Sequence, residues 1–340
     1  MQYKRVLILQ RGGPEALHVV SDTLREPVKN EIRIKVMAAG VSFADVLMRE
    51  GVYMGMPKFP FTPGYDIVGL VDKLGESVTG FSKGDYVAAL TVYGGYSEYI
   101  FLPEYDLVKI PNEIDPVEAV SLVLNYITAY QMLFRTANAK EGEKILVHGA
   151  AGGVGTALLQ MAKLKSLTVY GTASASKHQL VENLGAIPID YKSENFKKKI
   201  KTLTNEGVDI VFDGTGELGN RSYKILKKNG RLIIYGISSM LKDGRRNILK
   251  SISVYLRFSI FLRNLIPDNK RVLLYQITNY KRLHPDWFKM DLETLFELLK
   301  GKKIKPIIYR VLPLDKVNEA HDLLNNSSIQ GKIVLSLLKD

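Results

Sequence analysis

The sequence predicts an α/β protein of two domains, one a small β-barrel-like domain and the other a doubly wound domain around a parallel sheet. The chain has 340 residues, which exceeds one ordinary core at about 150 residues per domain. The pattern of apolar residues also changes after Pro116. Short β segments broken by Gly and Pro give way to strands that alternate with helical stretches, as βαβ units require.

The first domain is predicted from five short β segments bounded by turn residues. These segments are Arg5–Leu9, Glu31–Ala39, Tyr65–Leu74, Asp85–Ala89 and Tyr96–Leu102. The tail from Pro306 to Leu338 again follows the order strand, helix, strand, so we expect it to return to this domain. The predicted bounds are 1–124 with 303–340 for the first domain and 125–302 for the second.

The strands of the second domain are uniformly apolar rather than alternating, which indicates burial on both faces of a parallel sheet. They are Lys144–His148, Leu167–Gly171, Asp209–Phe212 and Arg231–Tyr235. Helical segments separate most of them. This is the pattern of a doubly wound, nucleotide-binding sheet.

Composition excludes several classes of protein. Cysteine is absent, so there is no thiolate nucleophile, no disulfide and no Cys-ligated zinc. Met1 is followed by Gln2, Tyr3, Lys4 and Arg5 with no apolar signal region, and we expect a cytoplasmic protein. The net charge of +12 comes from 47 Lys and Arg against 35 Asp and Glu. No nucleic-acid motif accompanies it, so no nucleic-acid partner is expected.

A glycine-rich turn follows the strand that ends at His148. It runs from Gly149 to Gly155 and leads into the helical stretch Thr156–Lys165. The G-x-G-x-x-G template falls on Ala150, Gly152 and Gly155, with Ala150 in place of the first glycine. Gly152 lets the backbone approach a pyrophosphate and Gly155 allows close helix packing. The turn predicts a dinucleotide site.

The end of the next strand predicts which dinucleotide binds. An NAD site places Asp or Glu there to bind the ribose hydroxyls, but no acid occurs from Thr168 to Gln179. Ser174, Ser176, Lys177 and His178 stand there instead. A hydroxyl and a cation suit a 2′-phosphate. The expected cofactor is therefore NADPH.

The ordered motifs of the chain resemble those of the medium-chain dehydrogenase/reductase superfamily, and within it the zinc-independent quinone oxidoreductases. The resemblance covers nearly the whole chain. It is carried by Ala39–Asp45, Arg49–Tyr53, Pro63–Gly69, Gly84–Val87, Ala150–Gly155 and Gly331–Leu335. A closer likeness, to the vesicle amine transport protein branch, is carried by Asn125–Tyr130, Gly171–His178 and Ile189–Tyr191.

The resemblance implies a GroES-like catalytic domain, a Rossmann domain inserted before its last segment, and a homodimer. It implies that Thr128 lies near the nicotinamide, that Gly152 to Val154 hold the pyrophosphate, and that Lys177 with Tyr191 hold the 2′-phosphate. Gly236 would border the nicotinamide half. The full set of residues expected to bind NADPH is Thr128, Ala151, Gly152, Gly153, Val154, Thr172, Ser174, Lys177, Tyr191 and Gly236.

The sequence departs from the zinc-dependent relatives at their metal ligands. The catalytic Cys is missing, and Gly64-Tyr65-Asp66 stands where those relatives have Gly-His-Glu. The chain has five His residues, with no pair at ligand spacing. We therefore expect no catalytic zinc.

Without a metal, a side chain has to donate a hydrogen bond to the oxygen that gains charge when hydride arrives. The predicted catalytic candidates are Tyr53 and Ser42, with Tyr65 as a further donor. Tyr53 lies in an Arg-x-Gly-x-Tyr element, where it serves the substrate or only packs in the barrel. Asp45 and Asp66 are expected to be structural, because an acid there would resist the developing charge.

Two functions remain open. The first is a zinc-independent, NADPH-dependent reductase of quinones or of conjugated (α,β-unsaturated) carbonyls. The second is an NADPH-binding protein that associates with lipid and has little catalytic activity. The apolar segment Ile248–Ile266, which carries Lys250, Arg257 and Arg263, is too charged to span a bilayer. We expect it to face the substrate or the dimer partner rather than a membrane surface.

Overall fold

The computed structural model describes residues 1–193, 195–216, 219–236, 241–242, 245–246, 264–326 and 329–338. The chain divides into two compact units. Unit 1 comprises Met1–Leu124, Asp243–Arg246 and Leu292–Asp340, and unit 2 comprises Asn125–Lys242 and Asn247–Asp291. The return to unit 1 thus falls at Leu292 rather than at residue 303. Leu292 lies inside a continuous helix, which the sequence pattern gives no reason to divide.

The strands of the described residues are numbered in chain order. They are β1 (Gln2–Ile8), β2 (Leu17–Thr23), β3 (Glu31–Val41), β4 (Asp66–Leu74), β5 (Tyr86–Leu90), β6 (Tyr99–Pro103), β7 (Leu107–Lys109), β8 (Lys144–His148), β9 (Thr168–Ala173), β10 (Ile187–Asp190), β11 (Val208–Asp213), β12 (Leu226–Ile234), β13 (Leu241–Lys242), β14 (Arg245–Arg246), β15 (Arg271–Leu274), β16 (Ile308–Pro313) and β17 (Lys332–Ser336).

The helices are numbered in the same way. They are α1 (Phe43–Arg49), α2 (Pro116–Ser121), α3 (Ile127–Tyr130), α4 (Gly153–Leu164), α5 (His178–Asn183), α6 (Phe196–Thr204), α7 (Gly219–Tyr223), α8 (Ile277–Leu283), α9 (Pro285–Lys300) and α10 (Val317–Asn325). Two π-helical turns, Leu122–Tyr126 and Gln131–Thr136, continue α2 and α3.

Unit 1 is built around a mixed sheet. Its order is β16-β17-β3-β4-β5-β7, and β6 also pairs with β3. The long strand β3 reaches three partners because β6 pairs with its first half and β17 with its second half. In that second half Val334 lies opposite Gly40. Strand β17, near the end of the chain, therefore belongs to the same sheet as β3.

Unit 2 is built around a parallel sheet with the order β10-β9-β8-β11-β12-β15. Numbered along the unit, this is 3-2-1-4-5-6, the order of the Rossmann fold. The order reverses between β8 and β11, and ligands of such sheets bind at the carboxyl ends of the strands there. The predicted fold class, a GroES-like domain with a Rossmann domain, is confirmed.

The helical stretch Pro116–Thr136 is the one segment among the described residues that is long and apolar enough to cross a membrane. Most of it, 72% of the apolar window, is buried inside the protein. Core helices of soluble proteins share this composition, so the stretch is weak evidence for a membrane span.

The lysine-rich run at 197–201 belongs to helix α6. Phe196, Ile200 and Thr204 are buried at helical spacing, and Lys198 and Lys201 are exposed. Asn195 caps the helix by accepting hydrogen bonds from two backbone N–H groups. The lysines therefore lie on the solvated face of an amphipathic helix.

Candidate active site

The glycine turn joins strand β8 to helix α4 in unit 2. Gly149 has φ +69°, and Gly152 precedes the helix with no side chain to cap it. The first N–H groups of a helix have no acceptor within the helix. Those of Gly153, Val154 and Gly155 therefore form an uncapped set of donors, which suits a pyrophosphate.

The alanine in the turn has a geometric explanation. The left-handed conformation that a tight turn needs is adopted by Gly149, not by residue 150. Space for the Ala150 methyl comes from the neighbouring strand, where a side chain on Gly171 would approach it to 2.7 Å. Gly149 therefore makes the tight turn, and the first template position at residue 150 can be an alanine.

The other two glycines differ in what they permit. A Cβ on Gly155 would lie 2.7 Å from the carbonyl carbon and oxygen of Ala150, so this glycine lets the helix pack against the turn. A Cβ on Gly152 would meet only the Gly149 oxygen, at 3.3 Å. The fold itself hardly needs a glycine at 152, which is consistent with a role toward a ligand.

Thr172 and His148 stabilise the glycine turn through hydrogen bonds. The Thr172 carbonyl accepts from Ala150 N–H at 3.0 Å, and its hydroxyl accepts from Gly149 N–H at 3.3 Å. The same hydroxyl lies 3.1 Å from His148 Nδ1, and His148 Nε2 lies 3.0 Å from the Ser222 hydroxyl. Burial lowers the pKa of His148, so its ring is neutral. Sequence reasoning missed His148, although a polar residue ending an apolar strand was a usable signal.

The turns that follow β9 and β10 lie side by side, because Ala173 pairs with Asp190. The first turn carries Ser174 and Lys177, and the second carries Tyr191, which is 53% exposed. Burial and, to a smaller extent, the charge of Lys192 lower the pKa of Lys177. Two cations that repel one another here would both be stabilised by an anion. Sequence reasoning missed Lys192.

The residues predicted near the nicotinamide lie on two other elements of unit 2. Thr128 is 6% exposed on helix α3. Gly236 follows β12, and a Cβ there would collide with the Gly214 carbonyl oxygen. Gly236 therefore has a structural reason to be glycine that is independent of any ligand.

The Tyr53 and Tyr65 hydroxyls form a hydrogen bond of 2.6 Å in unit 1. The two rings meet edge to face, with centroids 6.1 Å apart. Tyr65 is buried at 1% exposure, and Tyr53 is partly exposed. The pair therefore joins a partly exposed phenol to a buried one.

The Ser42 hydroxyl already has hydrogen-bond partners within its own helix. It caps helix α1, and its hydroxyl donates to Asp45 Oδ2 at 2.6 Å while accepting from Asp45 N–H. The single hydroxyl proton is thus used within the cap. The geometry gives no support to Ser42 as a donor to substrate.

Asp45 is the centre of a buried network in unit 1. Its carboxylate accepts from the backbone N–H groups of Ser42 and Gly64, at 2.9 and 3.0 Å, and from Tyr96 at 3.1 Å. Burial nevertheless raises its pKa to about 6. These contacts hold the chain segments together, in agreement with the structural role expected for Asp45.

The residues at the positions of the zinc ligands do not fit a metal ion. Asp66 forms a buried ion pair with Lys332 Nζ at 3.1 Å, and Tyr65 is hydrogen-bonded to Tyr53. Burial raises the pKa of Asp66, and the Lys332 charge opposes that rise. No group of three His, Cys, Asp or Glu side chains within the described part of the chain is arranged to hold a metal.

Apart from its last three residues, the segment Ile248–Ile266 lies outside the described residues. Its predicted place facing a substrate or a second subunit therefore stays a prediction.

Comparison with known proteins identifies similar chains over the full length. The alcohol dehydrogenase GroES-like domain matches residues 28–112, and the zinc-binding dehydrogenase family matches residues 184–335. The Danio rerio synaptic vesicle membrane protein VAT-1 homolog is 31% identical, covering 98% of this chain and 70% of that protein. A Lama guanicoe quinone oxidoreductase is 33% identical, covering 98% of this chain and 97% of that protein.

Solved structures show the same similarity. Escherichia coli quinone oxidoreductase complexed with NADPH superposes with a TM-score of 0.85 at 28% identity, covering 98% of this chain and 99% of that one. The CurK enoyl reductase superposes with a TM-score of 0.84 at 25% identity, covering 99% of both chains.

Proposed function

Because the chain belongs to the medium-chain dehydrogenase/reductase superfamily, we propose that it is an NADPH-dependent oxidoreductase that works without zinc. Its substrates are quinones or conjugated carbonyls, which it reduces by hydride transfer. Relatives with the names quinone oxidoreductase and enoyl reductase support this class of substrate. The protein is proposed to act in the cytoplasm as a homodimer.

One observation carries the choice of cofactor. The uncapped start of helix α4 and the Lys177 turn both follow carboxyl ends of the parallel sheet, and no acid occurs from Thr168 to Gln179. Donors for a pyrophosphate and a cation for a further phosphate suit NADPH better than NADH. An Escherichia coli relative complexed with NADPH supports the same choice. When bound, NADPH supplies the hydride.

The 2′-phosphate is proposed to lie between the turns after β9 and β10. Lys177 pairs with it, Ser174 donates a hydroxyl, and Tyr191 covers it from the exposed side. Lys192 adds a second positive charge. Burial and, to a smaller extent, repulsion from Lys192 lower the pKa of Lys177, and a phosphate would oppose both effects.

The pyrophosphate is proposed to bind at the backbone of Ala151, Gly152, Gly153 and Val154. Thr172 takes part indirectly, because it holds the turn through Gly149 and Ala150. Thr128 and Gly236 are proposed to border the nicotinamide half. These residues orient the cofactor, and orientation is the main contribution a protein makes to hydride transfer.

Tyr53 is proposed to donate a hydrogen bond to the substrate oxygen as negative charge develops there. The Tyr53 and Tyr65 hydroxyls lie 2.6 Å apart. With Tyr65 as the donor of this bond, the Tyr53 proton is left for the substrate, and the bond stabilises charge on the Tyr53 phenol while Tyr53 donates. A phenol is protonated at neutral pH and can polarise a carbonyl without a metal. Ser42 is left out of this proposal because its proton is used in the α1 cap.

The direct test is a screen of quinones and enones with NADPH and with NADH, following cofactor oxidation by absorbance. We expect turnover above background with at least one acceptor class, faster with NADPH, and unchanged after incubation with a chelator. Silence across both classes, or loss of activity with the chelator, would contradict the proposal.

A second candidate function is association with lipid, with little catalysis. It is favoured by the similarity to synaptic vesicle membrane proteins and by the net charge of +12. Flotation with acidic vesicles tests it at low salt, where electrostatic attraction is strongest. Failure to float under those conditions would remove this candidate.

A further inference from the structure

A cavity of about 720 Å³ in unit 2 is lined by cations without an acid. Arg231, Lys270 and Arg271 line it, and no carboxylate is among its lining residues in the described part of the chain. Arg271 is the first residue of β15, and Lys270 directly precedes it. The cavity therefore lies toward the amino end of this strand, whereas the proposed cofactor site follows the carboxyl ends of the sheet.

Two of these cations lie side by side. Arg231 and Arg271 are register partners on the neighbouring parallel strands β12 and β15, and neighbouring strands are about 4.8 Å apart. Register partners present their side chains on the same face of a sheet, so the two positive charges repel one another. An anion between them would relieve this repulsion.

The carboxylates of unit 2 neutralise this charge only in part. Arg231 donates to Glu143 Oε2 at 2.6 Å through a terminal nitrogen, but its Nε has no hydrogen-bond acceptor among the described residues. Lys270 Nζ lies 3.9 Å from the Asp268 carboxylate, which is beyond hydrogen-bonding distance. Arg271 is exposed and forms no ion pair with any residue that the structure describes. The cavity therefore keeps a net positive charge.

An apolar surface adjoins these cations. Leu265, Ile266 and Leu273 line the same cavity, and Leu265 is 80% exposed. An inorganic ion would leave this surface in contact with water, whereas an organic anion would cover it and gain the free energy of apolar burial. The cavity therefore favours an anion that carries an apolar group.

We propose that this cavity is a second anion site of unit 2, which binds the phosphate group of an organic phosphate through Arg231, Lys270 and Arg271. A phosphate monoester carries up to two negative charges and three acceptor oxygens, so it can pair with two neighbouring guanidinium groups at once. The source is a soluble phosphate ester or a phospholipid headgroup, since the two share this chemistry. The site does not depend on the proposed reductase activity.

The test is a calorimetric titration of hexyl phosphate into the protein saturated with NADPH, which keeps the probe out of the proposed cofactor site. We expect wild type to bind hexyl phosphate about tenfold more tightly than inorganic phosphate, because part of the alkyl chain is buried. Arg271→Gln should weaken hexyl phosphate by about tenfold or more, the effect of losing one charge-assisted contact. The matched control is Arg282→Gln, at an exposed arginine of helix α8, which should change the affinity by less than about twofold.

Thermal unfolding gives a second readout. Without a phosphate, Arg271→Gln should unfold at the same temperature as wild type or above it, because the variant lacks the repulsion between the two arginines. Hexyl phosphate should raise the Tm of wild type and of Arg282→Gln, since it binds only their folded state. It should not raise the Tm of Arg271→Gln.

Vesicle flotation distinguishes the two sources of the phosphate. If the ligand is a lipid headgroup, phosphatidylcholine vesicles that contain phosphatidic acid should carry wild type but not Arg271→Gln. If it is a soluble ester, hexyl phosphate should bind in an Arg271-dependent way and the vesicles should not carry the protein. Either pattern supports the site.

Four results would overturn the proposal. Hexyl phosphate could fail to bind wild type, or could bind wild type and Arg271→Gln equally. Equal weakening in Arg271→Gln and Arg282→Gln would indicate attraction to the net charge alone. Weakening in Lys177→Ala but not in Arg271→Gln would place the probe in the cofactor's phosphate site. A lower Tm for Arg271→Gln without a phosphate would show that this arginine stabilises the fold instead.

Discussion

At the scale of single residues, the pair Tyr53 and Tyr65 carries the proposed chemistry of unit 1. We predict that Tyr53→Phe lowers kcat by about 10²-fold, the typical effect of losing one donor to a developing oxyanion. NADPH affinity should stay the same. Steady-state kinetics with the best acceptor from the screen measures both quantities. Tyr65→Phe should lower kcat by a smaller factor, because it acts through Tyr53.

Tyr3 provides the control for this pair. It meets Tyr99 edge to face, with centroids 5.9 Å apart, in the same unit. Tyr3→Phe should leave kcat unchanged. An unchanged kcat in Tyr53→Phe would show that the tyrosine only packs against Tyr65.

His321 gives a prediction for the pH dependence of stability. It is fully buried, with Nδ1 3.1 Å from an Arg49 nitrogen. Burial and the Arg49 charge lower its pKa well below the ordinary value. Below about pH 6.5 the His321 ring therefore binds a proton in the unfolded chain but not in the folded protein. Stability from this group is present above that pH and is lost as the pH falls.

We predict that this loss disappears in His321→Asn. The unfolding free energy of wild type relative to the variant should fall by roughly 1.4 kcal/mol for each pH unit below 6.5. Denaturant unfolding between pH 7.5 and 5 measures the difference. Asp45 contributes with the opposite sign, since its pKa is raised to about 6, but it is present in both proteins. A difference that does not vary with pH would contradict the assignment. Replacing the exposed His18 by Asn is the control.

At the scale of elements, the start of helix α4 separates a structural glycine from a ligand-binding glycine. We predict that Gly155→Ala lowers stability by about 1–3 kcal/mol, because the new methyl forces the helix away from the turn. Gly152→Ala should change stability by less than about 1 kcal/mol, since its Cβ meets only the Gly149 oxygen at 3.3 Å. It should still weaken NADPH at least tenfold. Denaturant unfolding and NADPH titration on both variants measure this, and the reverse pattern would contradict it.

The strands and turns also show how much of the fold could be predicted from the sequence. The glycine turn, the neighbouring strands and the strand-helix-strand tail were predictable from residue patterns, because burial and turn chemistry are local. Strands β10 and β15 were missed. Each has only four residues, and pairing with a neighbour stabilises them more than their own composition does.

The hydrogen-bond partners of the side chains were not predictable in the same way. Ser42 and Tyr53 both carry a hydroxyl, and the sequence alone ranks them as equals. The difference arises from their partners, because Ser42 donates to Asp45 and Tyr53 meets a second phenol. The hydrogen bonds that join Gln131 to Asp291 and to Tyr275 connect segments far apart in sequence. Such contacts depend on the tertiary fold, so no local pattern predicts them.

At the scale of the whole molecule, the chain combines a GroES-like unit with a Rossmann unit, and no group of three His, Cys, Asp or Glu side chains in its described part could hold a metal. The buried Lys332 ammonium beside Asp66 opposes metal binding at that position, because a second cation would be repelled. The excess of 47 basic over 35 acidic residues also favours an anionic cofactor. The central claim is therefore that this is an NADPH site, distinguished from an NADH site by the 2′-phosphate.

The most direct test of that claim is the affinity of wild type and Lys177→Ala for NADPH and NADH, by fluorescence titration. We predict that wild type prefers NADPH, and that Lys177→Ala weakens NADPH by about 10- to 100-fold, as expected for a charge-assisted phosphate contact. NADH affinity should change by less than about twofold. The exposed Lys198→Ala is the control and should change neither affinity. Equal losses for the two cofactors in Lys177→Ala, or a wild-type protein that does not distinguish them, would contradict the account.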